Sequence, residues 1–456
     1  MPTEAATSIN IVGILFSLCM GIWLLVVDRR KALIPIVLIT CYMTFGQKIV
    51  VAGLNFTMLR LLVLFGCARV AIKGEIRSFR WSRMDTVLVL WTVSGIITYT
   101  LLWQTTEALV NRLGVAYDAV GLYFLFRCLV RDTDDIERAC KIFAMVLLPV
   151  GVSMCMEKAS GQNPFAAFGG VPRYTMIRDG VLRCQGPFQH PILAGTFGAV
   201  WVPFFVGLWW RNPRNRMLAV IGLISSTLIT FTSGSSGPIG TYAAGFLACG
   251  LWAIRDYMRL VRWGIVAGIV ALQLMMKEPV WFIFARINIL SASTGWHRSN
   301  LIDRTIAHFF DWWLVGAKDT VSWGVWWGDI TNEFILQGVR GGLLTMCLFT
   351  YIVVLAFSWV GKSLKAARGE AKRERLFIWA LGCTIFVHVV SFMNIAYFDQ
   401  NVVNFYLALA MTGAVTAIYL RRPQTPKTEA IDSPAGDDWD SMYEEGFAAA
   451  DRSATV

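Results

Sequence analysis

Charge is what this sequence has least of. Asp, Glu, Lys and Arg make up only 16% of its 456 residues, against about a quarter in an average soluble domain, while 56% are hydrophobic and mean hydropathy is +0.56. So little charge cannot solvate so apolar a chain, which excludes an ordinary soluble fold. The sequence also lacks a Cys-x-x-Cys pair, a His-Glu-x-x-His signature, a nucleotide-binding glycine loop and any internal repeat, so the usual metal, redox and nucleotide signatures are missing. Among ten cysteines, Cys19, Cys41, Cys67, Cys249, Cys347 and Cys383 fall inside apolar blocks and read as small buried hydrophobes; Cys184 alone stands in a clearly polar stretch. Neither a basic leader nor a small-residue cleavage site precedes the first apolar block, which therefore reads as a retained span. The net charge of +11 sits in short clusters between apolar blocks, the pattern of cytoplasmic loops rather than of a nucleic-acid surface, and no nucleic acid is expected.

What the sequence does have is apolar blocks of membrane-spanning length, so we expect an all-α, polytopic transmembrane bundle of about twelve or thirteen spans. The expected spans are 9–27, 32–47, 55–72, 85–103, 114–130, 142–156, 190–210, 217–232, 237–254, 263–276, 335–360, 376–394 and 402–420. Basic clusters at Arg29–Lys31, Lys73–Arg83, 131–141, Arg211–Arg216, Arg255–Arg262, Lys362–Arg375 and Arg421–Arg422 alternate with less basic connections. By the positive-inside rule this places the N-terminus outside and makes 157–189 and 277–334 long external loops, and it puts Glu107 and Arg112 in a short external loop. Four regions follow: N-terminal helices 1–156, a core 157–360, C-terminal helices 361–422, and an acidic tail 423–456 whose eight acidic side chains and small residues predict disorder. Arg60, inside an apolar block, must face the bundle interior or snorkel outward, and snorkelling costs less.

The external loops carry the basic residues that the charge rule does not expect: Lys158, Arg173, Arg178, Arg183, Arg286, Arg298, Arg304 and Lys318. Between 158 and 190 only Asp179 offsets them. Guanidinium groups bind phosphate oxygens through paired donors, so an anion such as a pyrophosphate accounts for the cluster. The loop 277–334 also holds His297, His308, Asp303, Asp311, Asp319 and Asp329, with Trp296, Trp312, Trp313, Trp323, Trp326 and Trp327. These rings offer either a sugar-stacking surface or an interfacial belt. His190 before Pro191 reads as a helix cap, the turn Gly234–Gly237 as a connection between two helices, and Gly338, Gly341 and Gly342 as a close-packing face.

Three stretches carry a family resemblance. RCQGPFQHPILAGTFGA (183–199), LITFTSGSSGPIGTYAAGFL (228–247), and WWLVGAKDTVSWG (312–324) with DITNEFILQGVRGGLL (329–344) resemble, in order and spacing, segments of the O-antigen ligase and polymerase superfamily of polytopic glycosyltransferases. The resemblance covers 183–360; the remaining spans agree by hydropathy only. Two positions depart from the family pattern: SGSSG stands where many members have Ser-Arg, and Thr331-Asn332 stands where many have His-Asn.

The resemblance implies a metal-independent, cofactor-free glycosyltransferase on the outer face of a bacterial inner membrane. Its donor would be a polyprenyl-pyrophosphate-linked oligosaccharide, and its partners the bilayer and chain-length regulators or export proteins. An acceptor hydroxyl attacks the anomeric carbon while the lipid pyrophosphate leaves, so arginines beside the leaving group stabilise the transition state. On this sequence that role goes to Arg183, Arg304 and Arg298, with His190, Asn332 and Lys318 as further contacts. Thr331 cannot accept a proton, so Asp329 is the first candidate base and His308 the second; the competing reading of Asp329 is a cap on the helix beginning near Thr331. Polymerisation into a surface polysaccharide or exopolysaccharide, and ligation of finished glycan to a lipid A core or a protein, share this donor chemistry. A transporter or flippase is the alternative of another class. It would pair charges near the middle of the spans, whereas the sequence gathers them in the outer loops.

Overall fold

Apolar runs bounded by Ser, Thr, Asn and Asp caps fold into helices throughout the chain. A computed structural model describes residues 10–51, 54–283, 293–325 and 328–420. The acidic segment 423–456 lies outside the described residues, as do Arg286, Trp326 and Trp327. The helices are α1 (Ile11–Val26), α2 (Leu33–Tyr42), α3 (Met58–Ile72), α4 (Arg83–Trp103), α5 (Thr106–Leu129), α6 (Thr133–Ser160), α7 (Pro191–Val200), α8 (Val202–Arg211), α9 (Arg216–Thr232), α10 (Ser236–Gly250), α11 (Met258–Met275), α12 (Ser293–Ala307), α13 (Phe309–Trp312), α14 (Glu333–Ala366), α15 (Lys372–Phe392) and α16 (Gln400–Leu420). Two short antiparallel hairpins interrupt them, β1 (Lys48–Val51) with β2 (Leu54–Thr57), and β3 (Met176–Arg178) with β4 (Val181–Arg183). The helices up to Leu420 form one compact unit.

Among the described residues, nine stretches are long and apolar enough to cross a membrane, which makes the chain a multi-pass membrane protein. This is fewer than the expected twelve or thirteen. The helices α1, α2 and α3 have only 16, 10 and 15 residues, short of the ~20 that span a bilayer. The 40-residue stretch Ser236–Met275 counts once, although non-helical geometry at Ile254 separates α10 from α11.

Other boundaries move because caps override hydropathy. Thr105 accepts a hydrogen bond from Ala108 N, so α5 starts at Thr106 and takes in Glu107 and Arg112, which were expected in a loop. Asp132 caps α6 through Asp135 N, so most of the charged segment 131–141 forms the first turns of that helix. The acids Asp134 and Asp135 there favour its positive end. In α14 a break at Gly342 (φ 74°, ψ 178°) divides the helix, and the glycine serves both this break and the close approach of the Leu314 carbonyl.

One end of the bundle is fastened by ion pairs. Arg211 Nε, Nη1 and Nη2 reach Glu137, Glu374 and Asp134 at 2.5, 2.7 and 2.9 Å. Arg69 is fully buried, bonding Glu75 at 2.7 Å and the last carbonyls of α1, Leu24 and Val27. The opposite end carries the long connections, stitched by neutral bonds such as Asn10 Nδ2 to the Ala167 carbonyl and Gln400 Nε2 to the Met43 and Pro187 carbonyls. Between the ends, one continuous apolar core runs through most helices; Phe143 stacked on Trp201 at 3.7 Å joins α6 to the α7–α8 pair.

Charge also enters the bundle. Arg60 pairs with Asp118 across α3 and α5 at 3.4 Å instead of snorkelling. Asp85 receives Tyr123 Oη at 2.7 Å and Arg127 Nε at 3.3 Å. The expectation that charges gather in the outer loops is therefore incomplete, and the Arg60–Asp118 pair weakens the sequence argument against a transporter.

Candidate functional site

The β3–β4 hairpin delivers Arg183 to the loop-bearing end, where two backbone ties hold its strand: Lys158 Nζ donates to the Leu182 carbonyl, and Cys184 N donates to the Thr232 carbonyl. Cys184, in a polar stretch of sequence, is itself fully buried. The following residues are pinned by Glu157, a buried carboxylate that accepts from Gln185 N, Gly186 N and Thr175 Oγ1. Thus Glu157, just before this basic segment, is spent on shaping the loop. Arg183 is 6% exposed. Its Nη2 donates to Ser235 Oγ at 2.7 Å, and its buried Nε has no partner.

Ser235 occupies the cap position of α10 but does not cap it. Its hydroxyl donates instead to the Ser233 carbonyl and accepts from Arg183. The first amides of α10 therefore lack a side-chain acceptor, at the end of the helix where the backbone dipole is positive. Arg298 on α12 lies against the same turn: a Cβ on Gly237 would stand 3.2 Å from Arg298 Nη2 and 3.4 Å from Asn394 Cβ. No carboxylate lies within ion-pair distance of Arg183 or Arg298 among the described residues; the nearby Asp179 faces Arg178 at 3.7 Å. Burial lowers the pKa of both guanidinium groups, reinforced at Arg183 by the like charge of Arg178. Two buried cations and a helix N-terminus without a side-chain cap thus border one turn, with Asp179 acting on Arg183 only from a distance, an arrangement compatible with a phosphate.

His190 borders this site and caps α7, its Nδ1 accepting from Ile192 N at 3.1 Å. Burial and then the charges of Arg183 and Arg178 push its pKa down to about 4, so at neutral pH it is an uncharged cap, as its place before Pro191 suggests.

The remaining residues chosen from sequence do not gather here. Arg304 is exposed, and its side chain makes no hydrogen bond or ion pair among the described residues. It stands six residues beyond Arg298, about 120° away around the same helix. Lys318 is exposed above the Trp103 ring at 5.8 Å. Asp329 is exposed and does not cap α14; Asn332 does, through Oδ1 to Ile335 N at 3.2 Å, which gives Asn332 a structural task. His308 bonds Asp311 at 2.8 Å and stacks flat on Trp323 at 5.2 Å, forming a half-exposed His–Asp pair away from Arg183.

Ser235 reads from sequence only as part of the turn Gly234–Gly237, and several residues at this end were not singled out at all: Asn394, Glu157 and the buried chain Glu333–Tyr397–His388. In that chain Tyr397 N donates to Glu333 at 2.6 Å, and its hydroxyl meets His388 Nδ1 at 2.9 Å. A cavity of about 1030 Å³ opens among residues Met156 to Arg173 and contains none of the assigned residues; its one charged lining group is Arg173.

The fold and this cluster define a multi-pass membrane protein with a basic, phosphate-compatible site at one end. No family model matches the chain, and no curated protein matches it.

Proposed function

We propose that this protein is a glycosyltransferase that uses a polyprenyl-pyrophosphate-linked oligosaccharide and polymerises its repeat units into a surface polysaccharide or exopolysaccharide. The observation that carries this reading is the meeting of Arg183, Arg298 and the uncapped α10 N-terminus at one end of the bundle. A lipid-anchored pyrophosphate would reach that end from the bilayer, and its negative charge grows as it leaves the sugar. Asp329 or His308 then supplies the base for the acceptor hydroxyl, which the bound substrate brings within reach. The loop-bearing end faces outward, away from the cytoplasm of a bacterial inner membrane, because the opposite end carries the basic clusters. Ligation to a lipid or protein acceptor uses the same donor site and differs in the acceptor. The test is incubation of purified protein in detergent with a lipid-linked repeat unit. A ladder of longer glycans supports polymerisation, a single transfer to an added acceptor supports ligation, and unchanged substrate contradicts both.

One observation favours a transporter instead: the Arg60–Asp118 pair, with Asp118 halfway along the 24-residue α5. Paired charges at that depth mark transport pathways in many carriers. Reconstitution in vesicles with a labelled lipid-linked saccharide separates the two readings, since a carrier moves it between leaflets without lengthening it.

A further inference from the structure

A second basic site lies between α4, α5 and α14. Arg112 follows Thr106, the first residue of α5, by six positions, and Arg340 follows Glu333, the first residue of α14, by seven. At 1.5 Å per residue, both stand roughly 10 Å down from the loop-bearing ends of their helices. They face one another across a small cavity also lined by Trp91, Gln337, Gly341 and Thr345. The cavity itself, about 30 Å³, admits a group the size of one water or one phosphate oxygen.

Several features show that the two cations are not satisfied within the chain. The Arg112 guanidinium lies over the Tyr99 ring at 4.0 Å, and its buried Nε has no partner. Arg340 is exposed at the mouth, and the two charges repel. Neither forms an ion pair among the described residues. The buried carboxylate Glu333 attracts both arginines but forms an ion pair with neither, accepting instead from Tyr397 N and Gln337 Nε2, both at 2.6 Å, while Gln337 Oε1 is held by Trp91 Nε1 at 3.0 Å. The cavity also sits at the break in α14. There Val339 O accepts from Ala317 N, and Leu343 N donates to Trp313 O. Irregular backbone at membrane depth occurs where it is buried in protein or lines a cavity.

We propose that Arg112 and Arg340 bind the phosphate of an anionic lipid headgroup, one oxygen entering the cavity toward Arg112 Nε and the rest of the group lying against Arg340. Helices α4, α5 and α14 belong to the membrane-crossing set, so the site opens where headgroups lie. It goes beyond the donor site at Arg183, and its test reads binding without any glycan transfer, so either proposal can fail alone.

The test titrates purified full-length protein in detergent with phosphatidylglycerol, phosphatidylcholine and inorganic phosphate, following thermal unfolding. Phosphatidylglycerol is expected to raise the unfolding midpoint saturably, and phosphatidylcholine to have no matching effect. Arg340→Gln weakens the phosphatidylglycerol response by about tenfold or more, the loss typical of one charge-assisted contact. Arg112→Gln does the same, and Arg340, being exposed, provides the variant that keeps its fold. Inorganic phosphate acting with the same dependence on Arg340 would identify a soluble anion as the source of the same chemistry. Identical titrations of wild type and Arg340→Gln with all three probes, or a response abolished by Arg183→Ala alone, would overturn the site.

Discussion

Arg183 crosses to the α9–α10 turn and donates through Nη2 to Ser235 Oγ at 2.7 Å, leaving its buried Nε without a partner. A single neutral hydroxyl is a poor counterpart for a desolvated guanidinium. Arg183→Ala is expected to lower glycan transfer by about two to three orders of magnitude, the effect of removing one preorganised donor at a developing charge. Expression and thermal stability should stay close to wild type, because the bond it loses is one to a hydroxyl. Arg183→Lys rescues poorly, since an ammonium cannot serve Ser235 and a phosphate in a fixed fork. Transfer rates at matched expression check both.

Asp329 is exposed and Asn332 caps α14, so Asp329→Asn leaves stability unchanged and tests chemistry alone. If Asp329 is the base, transfer falls by about two to four orders of magnitude. If it does not fall, His308→Gln becomes the decisive variant, because His308 is oriented by Asp311 at 2.8 Å. Loss in neither variant would leave the acceptor without a side-chain base from this loop.

Gly342 in α14 has φ 74° and ψ 178°, and a Cβ there would stand 2.3 Å from the Leu314 carbonyl. Gly342→Ala should destabilise by at least about 1–3 kcal/mol, the cost of a side chain in glycine-only backbone space. Gly361→Ala in the same helix is the control, since a Cβ at Gly361 meets nothing within 4 Å, and alanine there is neutral or slightly favourable. Melting curves for the pair should diverge; equal curves would mean the helix is not broken at Gly342.

His190 gives a pH signature. Its pKa falls from 6.5 to about 4 in the folded chain, so between those values the unfolded state holds a proton that the native state does not. Stability from this group is complete above pH 6.5 and declines as pH falls toward 4, by at most about 3 kcal/mol. His190→Asn keeps an N-cap without the titration. The variant should therefore gain on wild type as pH drops from 6.5 to 4, and parallel stability curves would contradict the assignment.

Much of the helical layout was legible in the sequence, because blocks of spanning length and basic clusters are statements about solvent that hold at every position. The boundaries at α5 and α6 were not, since Thr105 and Asp132 start helices inside segments whose charge argued for loops. Arg60 looked like a snorkelling residue because its partner, Asp118, lies 58 positions away. At the site, the unusual positive charge of 158–190 and 277–334 pointed to Arg183 and Arg298. Arg304 looked equivalent in sequence, yet helical phase turns it away. Ser235 read only as part of a turn, and Asn394 escaped notice, because neutral side chains acquire meaning only beside the cations they meet.

The central claim is that the Arg183–Ser235–Arg298 cluster takes the leaving pyrophosphate of a lipid-linked sugar. Its most direct test measures polyprenyl pyrophosphate released by purified protein from a lipid-linked repeat unit, alongside glycan length, for wild type, Arg183→Ala and Arg298→Ala. The account predicts release in step with glycan growth in wild type, and loss of both in either variant while melting temperature is retained. Glycan transfer at wild-type rate by both variants, or no release by well-folded wild type with any lipid-linked saccharide, would contradict it.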